Sequence, residues 1–211
     1  MIIDCFAGGG GASVGIEMAL GRPVDIAVNH DPEAIRMHTV NHPDTLHLTE
    51  DIFKVNLQQI VGDRHVALMW ASPDCTSYSK AKGGRPREKG LRILPWAVYK
   101  HAKKILPDVI IMENVEEIQQ WGPLDERGYP VKELKGETYK DFITKMQSLG
   151  YAFDCRELTA ADYGAHDPAQ EMVCDLPERR KTDQVAAADA QQNGRGWSAY
   201  VEVMQQLYRL V

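Results

Sequence analysis

Short apolar runs alternate with helical segments along the first 160 residues, and this alternation constrains the fold most strongly. The predicted strands are 2–6, 24–28, 46–48, 65–70, 109–112 and 151–158. Helical segments are predicted at 12–20, 32–40, 94–106 and 139–149. Strand and helix in alternation indicate an α/β fold with a mostly parallel sheet, because parallel neighbours need a crossover connection. Ligands of such sheets bind beyond the carboxyl ends of the strands, so functional residues are expected there.

The first predicted strand leads into a glycine-rich loop that reads DCFAGGGG. Glycines let the backbone turn tightly and approach a ligand closely, and the following helix offers unpaired amides. The loop is not a GxGxxG motif, because Ser13 stands where the third glycine belongs, and it is not a P-loop. The loop therefore predicts a nucleoside cofactor site, with a tight turn that binds nothing as the alternative.

Polar residues Asn29, His30 and Asp31 end the second predicted strand. A polar side chain at this position commonly bonds the ribose of a cofactor, and Asn29 and Asp31 are both candidates. Asp31 followed by Pro32 fits a helix N-cap equally well, and the two roles can coexist.

The fourth predicted strand is followed by SPDCT, which places Cys75 on a proline-stiffened loop where a nucleophile is plausible. A core cysteine is the alternative. The next residues carry a local charge of +5 in a chain of net charge −6. The basic residues are Lys80, Lys82, Arg85, Arg87, Lys89 and Arg92. A glycine-containing cationic loop beside a nucleophile predicts a clamp on a polyanion, with an ordinary solvated surface as the alternative.

Glu113 closes the fifth predicted strand within the sequence MENV. A partly desolvated carboxylate there suits hydrogen bonding to a heterocycle together with proton exchange. A helix cap or a surface acid is the alternative interpretation.

Several classes of protein are not expected. No apolar run approaches the ~20 residues of a membrane span, and the N-terminus lacks the basic region of a secretory signal. The cysteines show no CxxC spacing, which predicts neither a metal site nor a disulfide framework and fits a cytoplasmic location. They are Cys5, Cys75, Cys155 and Cys174.

Together these segments resemble the DNA (cytosine-5) methyltransferases, in particular the phage and prophage branch. DCFAGGGGASVG is similar to the glycine-rich S-adenosylmethionine motif, NHDPEA to the second motif, and Asp51-Ile52 to the third. SPDCTSYS resembles the catalytic Pro-Cys motif, ENV is the next motif, and LTAADYG resembles the segment that leads into an arginine-rich motif. The resemblance covers residues 1–164 and implies a Rossmann-like methyltransferase fold, incomplete at the C-terminus.

The resemblance also implies roles. Cys75 would attack carbon 6 of a flipped cytosine in DNA, Glu113 would hold the amino group and nitrogen 3 of the ring, and S-adenosylmethionine would be the methyl donor. The implied cofactor-binding residues are Asp4, Phe6, Ala7, Gly8, Gly10, Asn29, His30, Asp51, Ile52 and Pro73. The implied DNA-binding residues are Ser79, Lys80, Lys82, Arg85 and Arg87. Three positions depart from the family pattern: Asp74 replaces a second proline, Thr76 a glutamine, and Asn29 the ribose-binding glutamate.

Beyond Gly164 the resemblance stops. Residues 165–211 show no strand period, no arginine-rich motif, no target-recognition domain and no returning helix, and only 197–211 has helical spacing. We interpret 1–164 as a catalytic domain and 165–211 as an atypical tail. An inactive remnant, or half of a split enzyme completed by a second chain with the recognition domain, are the alternatives to an active methyltransferase.

The tail suggests a frameshift near codon 165. Reading from the second codon position, Met172-Val173 forces a tryptophan codon, and permitted choices around it give PTTRRKRWF in place of 165–173. The same frame permits PTHSKT over 188–193. Both peptides resemble the phage branch.

Overall fold

The computed structural model describes residues 1–76, 78, 89–159 and 170–176, the last segment by its backbone. The strands are β1 (Ile2–Cys5), β2 (Ile26–Asn29), β3 (Leu46–Thr49), β4 (Leu68–Ala71), β5 (Val109–Asn114), β6 (Asp154–Thr159) and β7 (Gln170–Leu176). The α-helices are α1 (Gly11–Leu20), α2 (Pro32–Asn41), α3 (Leu57–Val61), α4 (Lys89–Arg92), α5 (Leu94–Ile105) and α6 (Glu137–Ser148). Two 3₁₀ helices cover Glu116–Gln120 and Lys132–Leu134.

The strands form one seven-stranded sheet in the order β3-β2-β1-β4-β5-β7-β6. β1 to β5 pair in parallel, which confirms the α/β prediction. β7 pairs antiparallel with both β5 and β6, so it is the one reversed strand among those described. The sequence pattern did not predict β7. Its residues QEMVCDL mix acids with apolar residues, and the neighbouring strands rather than an apolar period determine its position.

The core lies on both faces of the sheet because successive strand residues point to opposite sides. Ile3, Met69 and Ile110 are fully buried on the face that also packs Ala97 of α5 and Phe142 of α6. On the other face, Ile2, Trp70 and Ile111 pack against Ile16 of α1. Both faces of the central strands are therefore covered, which explains their unbroken apolar runs.

The cysteines differ from the sequence-based expectation. Cys155 of β6 is disulfide-bonded, although the spacing predicted no disulfide framework. The register of the β6–β7 pair places Cys174 directly opposite Cys155. The spacing of the cysteines did not reveal that Cys155 forms a disulfide. The antiparallel pairing of β6 with β7, which brings positions 155 and 174 together, was itself not predicted.

Among the described residues, no helix is long and apolar enough to cross a membrane.

Candidate active site

The predicted functional segments meet at one edge of the sheet. Cys5 pairs with Val28 of β2 on one side and with Ala71 of β4 on the other, and Ala71 pairs with Met112 of β5. The loops after β1, β2, β4 and β5 therefore leave the sheet side by side. This edge joins the glycine loop to the Cys75 loop and to Glu113.

The glycine loop turns sharply directly after β1. Phe6 has a φ of 66°, which is uncommon for a non-glycine residue, and Gly10 has a φ of 109°. A side chain cannot be added at Gly10, because a Cβ would lie 2.4 Å from Nε2 of His42. A positive φ costs a non-glycine residue such as Phe6 about 1 to 3 kcal/mol and is typical of functional sites, whereas glycine adopts it without strain.

Side chains from the neighbouring strand and helix hold the carbonyl oxygens of this loop. Asn29 Nδ2 donates to the carbonyl oxygen of Ala7 at 2.8 Å, and Asn41 Nδ2 donates to that of Gly9 at 2.7 Å. Among the described residues, none accepts a hydrogen bond from the backbone amides at 8–11. Gly8 is exposed. The loop thus turns its carbonyls toward the protein and leaves amides for an acceptor of a ligand.

The residues at the end of β2 differ in the hydrogen bonds that they make. Asn29 Oδ1 accepts from the amide of Asp31 while its Nδ2 holds the loop, so both ends of this side chain are engaged. Asp31 accepts from the amide of Glu33 at 2.9 Å and caps α2, with Pro32 at the first helical position. The capping interpretation of Asp31 is confirmed. His30 is exposed at the rim.

Asp4 lies beneath the loop rather than at its surface. Its side chain is buried, and Oδ2 accepts from Ser13 Oγ at 2.8 Å. Oδ1 is buried and has no hydrogen-bond partner among the described residues. A direct contact between Asp4 and the cofactor is expected from the sequence. In the structure the buried carboxylate instead bonds Ser13 in the first turn of α1.

The segment after β3 is fixed by α5. Asp51 Oδ1 accepts from the amide of Phe53 at 2.8 Å, and Ile52 is buried. His101 Nε2 donates to the carbonyl oxygen of Ile52 at 2.7 Å, and Lys100 Nζ donates to that of Phe53. The half-buried Asp51 therefore occupies a fixed position close to the ends of β2 and β3.

The Cys75 loop is organised by its own polar residues. Asp74 Oδ1 accepts from the amide of Thr76 at 2.8 Å and from its hydroxyl at 2.5 Å. The amide of Tyr78 donates to the carbonyl oxygen of Cys75 at 2.8 Å. These bonds form a compact turn that leaves the Cys75 side chain half-buried. Asp74 and Thr76, the two residues of this loop that differ from the family pattern, thus bond to each other and shape the turn.

The loop is also tied to the end of β5. Asn114 Nδ2 donates to the carbonyl oxygen of Pro73 at 2.8 Å, and both residues are buried. Glu113, half-buried, immediately precedes Asn114. The cysteine loop and the glutamate therefore share one buried hydrogen bond as their common anchor.

Cys5 shows what a structural cysteine looks like in this protein. It is buried, and burial, followed by the negative charge of Asp4, raises the pKa of its thiol. Cys75 is more exposed and lies on the loop at the functional edge, and both are thiols. Of these two thiols, Cys75 is the more accessible.

The basic stretch requires a correction at Arg92. This residue is buried, its guanidinium lies 4.9 Å from the centre of the Tyr78 ring, and Nη2 donates to the carbonyl oxygen of Gly122. Tyr78 in turn donates to the carbonyl oxygen of Arg92 at 2.8 Å. Arg92 is thus an anchor at the end of the stretch rather than part of a cationic clamp. The predicted DNA-binding residues Ser79, Lys80, Lys82, Arg85 and Arg87 lie outside the described residues.

The described residues fit a nucleoside cofactor of the S-adenosylmethionine type. The backbone amides of the glycine loop are free to donate hydrogen bonds to a cofactor. The edge formed by β1, β2 and β3 carries polar groups in fixed positions that could bond other parts of the cofactor. No group of three or more histidine, cysteine or acidic side chains in the described part could hold a metal ion.

Comparison with known proteins determines the family. The family described as C-5 cytosine-specific DNA methylase matches residues 1–168. The chain belongs to this family.

Individual cytosine methylases are similar to this chain at a moderate level. M.AquIA, a type II methyltransferase of Picosynechococcus sp., is 28% identical over 170 residues, which cover 77% of this chain and 66% of that protein. M.AgeI of Thalassovita gelatinovora is 28% identical over 167 residues, 77% of this chain and 36% of that protein. A crystal structure described as a prophage-encoded DNA modification methyltransferase of E. coli superposes with a TM-score of 0.66 at 26% identity.

The superposition covers 84% of this chain and 46% of the prophage-encoded protein. The chain thus spans between about a third and two thirds of the length of these methyltransferases. Members of the family use S-adenosylmethionine as methyl donor, which agrees with the fit of the glycine loop.

Sequence reasoning missed the residues that support the site from behind. They are Ser13, His38, Asn41, His42, Lys100, His101 and Asn114. One signal was present for two of them, because His38 and His42 are four residues apart and must share a face of α2. The others became apparent only from tertiary contacts.

Proposed function

We propose that this chain carries out the methylation of carbon 5 of cytosine in DNA, with Cys75 as a covalent nucleophile and S-adenosylmethionine as methyl donor. The observation that carries the proposal is the Asn114–Pro73 hydrogen bond, which anchors the Cys75 loop beside Glu113 at the edge that also bears the glycine loop. The family match supports the reaction class.

The donor would lie against the glycine loop and the ends of β2 and β3. Backbone amides at 8–11 would bond its polar groups, and Phe6, half-buried at the turn, would contact it. Asp51, His30 and the buried Ile52 would flank the nucleoside portion, while Asn29, Ala7 and Asp4 would hold the loop. When bound, S-adenosylmethionine supplies an electrophilic methyl group.

On the cytosine side, Cys75 Sγ as a thiolate would add to carbon 6 of the flipped base. The carbon 5–carbon 6 double bond opens, and its electrons make carbon 5 nucleophilic toward a methyl group. Glu113 would bond the exocyclic amino group and nitrogen 3. These bonds would stabilise the negative charge that the ring gains when the thiolate adds. After carbon 5 has gained the methyl group, loss of its proton to a base would expel Cys75 as a thiolate and restore the double bond.

DNA would be gripped by the loop that follows Cys75. Lys80, Lys82, Arg85, Arg87 and Ser79 supply cations and a hydroxyl for phosphate oxygens. Because the whole chain has a net charge of −6, this local cluster would have to provide the attraction. Binding would therefore weaken steeply as the salt concentration rises.

Covalent trapping tests the proposal directly. DNA of mixed sequence containing 5-fluorocytosine would be incubated with the chain and S-adenosylmethionine, because fluorine at carbon 5 cannot leave as a proton does. A denaturation-resistant adduct that is lost in Cys75→Ser is the expected result. The matched control is Cys5→Ala, which removes the buried free thiol of β1 and should leave the adduct intact. An adduct that persists in Cys75→Ser contradicts the proposed nucleophile.

A second candidate is donor binding without complete methylation by this chain alone. It is favoured by the fraction of each relative that the chain spans, 66% and 36% for the two methyltransferases named above. In this case calorimetry with S-adenosylmethionine shows binding but no adduct forms. Absence of donor binding would contradict both candidates.

A further inference from the structure

Three histidines lie behind the glycine loop and contact one another. His38 belongs to α2, His42 follows α2 directly as its C-cap, and both are buried, while His47 lies half-buried on β3. The rings of His38 and His42 are 4.5 Å apart between centroids, and those of His38 and His47 are 4.9 Å apart. Like-charged rings at these distances repel one another, so the three cannot all carry a proton charge.

Hydrogen bonding fixes the tautomers of His38 and His47 once His38 is taken as neutral. Ser13 uses its only hydrogen to donate to Asp4, so its oxygen must accept from His38 Nε2 at 3.0 Å. A neutral His38 then has an unprotonated Nδ1, which accepts from His47 Nε2 at 2.8 Å. Hydrogen bonds thus run in one direction from His47 through His38 and Ser13 to Asp4.

His47 is suited to stay neutral. Desolvation by burial is the main cause that lowers the pKa of its imidazole, and a positive charge on His42 lowers it further. The directional chain described above therefore holds near neutral pH, and it brings no positive charge to His38.

The environment of His42 demands a different protonation. Its Nδ1 lies 2.9 Å from Glu17 Oε1, and its Nε2 lies 3.0 Å from the carbonyl oxygen of Gly10. A carboxylate and a carbonyl only accept hydrogen bonds, so both ring nitrogens must donate. Only the imidazolium cation can satisfy both contacts at once.

The groups around His42 agree with a single positive charge. Glu17 of α1 supplies the facing negative charge, His38 beside it is neutral, and His47 of β3 is neutral as argued above. Asp4 of β1, at the end of the chain of hydrogen bonds, is the remaining negative charge. The buried cation thus has a carboxylate partner and no cationic neighbour.

We propose that His42, held as an imidazolium between Glu17 and the carbonyl oxygen of Gly10, is a positioning residue for the methyl-donor loop. Its proton on Nε2 fixes the carbonyl at the sharpest point of the turn, which orients the adjacent amides outward. The inference rests on the proposed function in so far as this loop binds the donor. The loop would lose its shape when His42 loses its charge, although His42 itself touches no substrate.

The first test measures protonation without any ligand. The seven histidines are labelled with ¹⁵N, and His42→Gln assigns the resonances of His42 in a long-range ¹H–¹⁵N spectrum. At pH 7.5 both ring nitrogens of His42 are expected to carry protons, whereas His38 and His47 show the neutral form with the proton on Nε2. An unprotonated ring nitrogen in His42 at this pH overturns the inference.

The second test links this charge to donor binding. Glu17→Gln keeps an acceptor for His42 but removes the negative charge that stabilises the imidazolium. The dissociation constant for S-adenosylmethionine is expected to rise about tenfold between pH 6 and pH 8 in this variant, while the unaltered chain changes less than twofold. The matched control is Glu33→Gln, which removes an exposed carboxylate paired with Arg36 on α2 and should behave like the unaltered chain.

The two readouts separate the possible failures. If the unaltered chain does not bind S-adenosylmethionine, the proposed function fails, and the ¹⁵N spectrum still decides the state of His42. If the chain binds and Glu17→Gln shows the same affinity at pH 6 and pH 8, the positioning role is wrong. Near-ultraviolet circular dichroism of each variant confirms that the tertiary fold is retained.

Discussion

At the scale of single residues, the loop after β1 depends on one glycine more than on its neighbours. Gly10 combines a φ of 109° with a contact that leaves no room for a Cβ, whereas Gly8 and Gly11 would place a Cβ in open space. Four glycines in a row look equivalent in the sequence. The structure distinguishes them, because only Gly10 has the ring of His42 directly against its Cα.

Gly10→Ala is expected to lower the free energy of unfolding by at least about 1 to 2 kcal/mol, because an L-residue is strained at this φ and the new methyl group displaces His42. Donor binding should fall at least tenfold. The matched control is Gly11→Ala, whose Cβ would contact nothing within 4 Å. Urea unfolding and calorimetry measure both effects, and equal behaviour of the two variants would contradict the argument.

Asn114 is the residue on which the geometry of the Cys75 loop depends. Asn114→Ala leaves the buried carbonyl oxygen of Pro73 without its donor, which should cost about 1 to 3 kcal/mol of stability. The rate of 5-fluorocytosine adduct formation should fall at least tenfold because Cys75 and Glu113 lose their common anchor.

The control for this experiment is Asn56→Ala. Asn56 caps α3 by accepting from the amide of Gln59, so its loss should cost about 1 kcal/mol without affecting the loop. A similar drop in adduct formation in both variants would mean that lowered stability, not loop position, slows the reaction.

At the scale of elements, helix α5 does more than cover the sheet. Its residues Lys100 and His101 bond the carbonyl oxygens of the segment after β3 and thereby fix Asp51 and Ile52. Desolvation by burial is the main cause of the lowered pKa of His101, and Nδ1 of this ring is buried without a partner among the described residues. Protonation at Nδ1 would bury an unpaired N–H group.

This geometry predicts a loss of stability in mild acid. The folded-state pKa of His101 lies below the unfolded value of about 6.5, so the unfolded chain binds more protons between the two values. The free energy of unfolding is therefore greatest above pH ~6.5 and falls as the pH drops toward the folded-state pKa. His47, whose pKa is lowered in the same direction, adds to this effect.

His101→Gln should reduce the drop in thermal unfolding midpoint between about pH 7 and pH 5, because glutamine still donates to Ile52 but does not titrate. His65→Gln is the comparison, since His65 is exposed and lies beside Asp108 at the surface. Scanning calorimetry at a series of pH values measures the midpoints. An equal acid-induced drop in His101→Gln and the unaltered chain would contradict a role of this ring.

At the scale of the whole molecule, the strand Gln170–Leu176 lies beyond Gly164 and is part of the sheet. β7 lies between β5 and β6 and pairs with Glu113 and Asn114 through Val173 and Met172. Without β7, both β5 and β6 would lose their partner on that side. We therefore expect that residues 1–164, interpreted from sequence as a catalytic domain, need β7 for stability.

A chain ending at Gly164 should unfold at a lower urea concentration than one ending at Leu176. Two antiparallel pairings would be lost, at about 1 kcal/mol for each net hydrogen bond, so the difference should amount to several kcal/mol. Urea unfolding followed by circular dichroism measures it. Equal midpoints would support a catalytic domain that ends at 164.

The frameshift hypothesis belongs to this scale as well. The alternative peptide would span 165–173 and overlap the start of β7, so an arginine-rich strand would enter the sheet beside β5. The nucleotide sequence from codon 155 onward, translated in three frames, tests the hypothesis. A second frame that encodes the arginine-rich strand and a recognition domain is the expected result, and its absence would contradict a frameshift.

The sequence by itself determined most of the elements and which candidate groups stand at the ends of the strands. Periodicity located β1 to β6 and the four longer helices, because a strand buried on both faces must be apolar throughout and an amphipathic helix repeats every 3.6 residues. The prediction for β4 began at 65, three residues early, because the apolar run extends beyond the paired segment. Glycines, cysteine and glutamate were placed correctly at strand ends, since local backbone requirements select these residue types.

Only the tertiary structure decided how the site is supported. The position of β7, the buried Arg92, and the bonds from Asn114, His42 and His101 all join residues far apart in the chain. No local pattern encodes such pairs, because each side chain satisfies a backbone group that lies nearby only after the sheet has formed. Local preference thus specified which groups the site contains, and packing specified which of them hold the others in place.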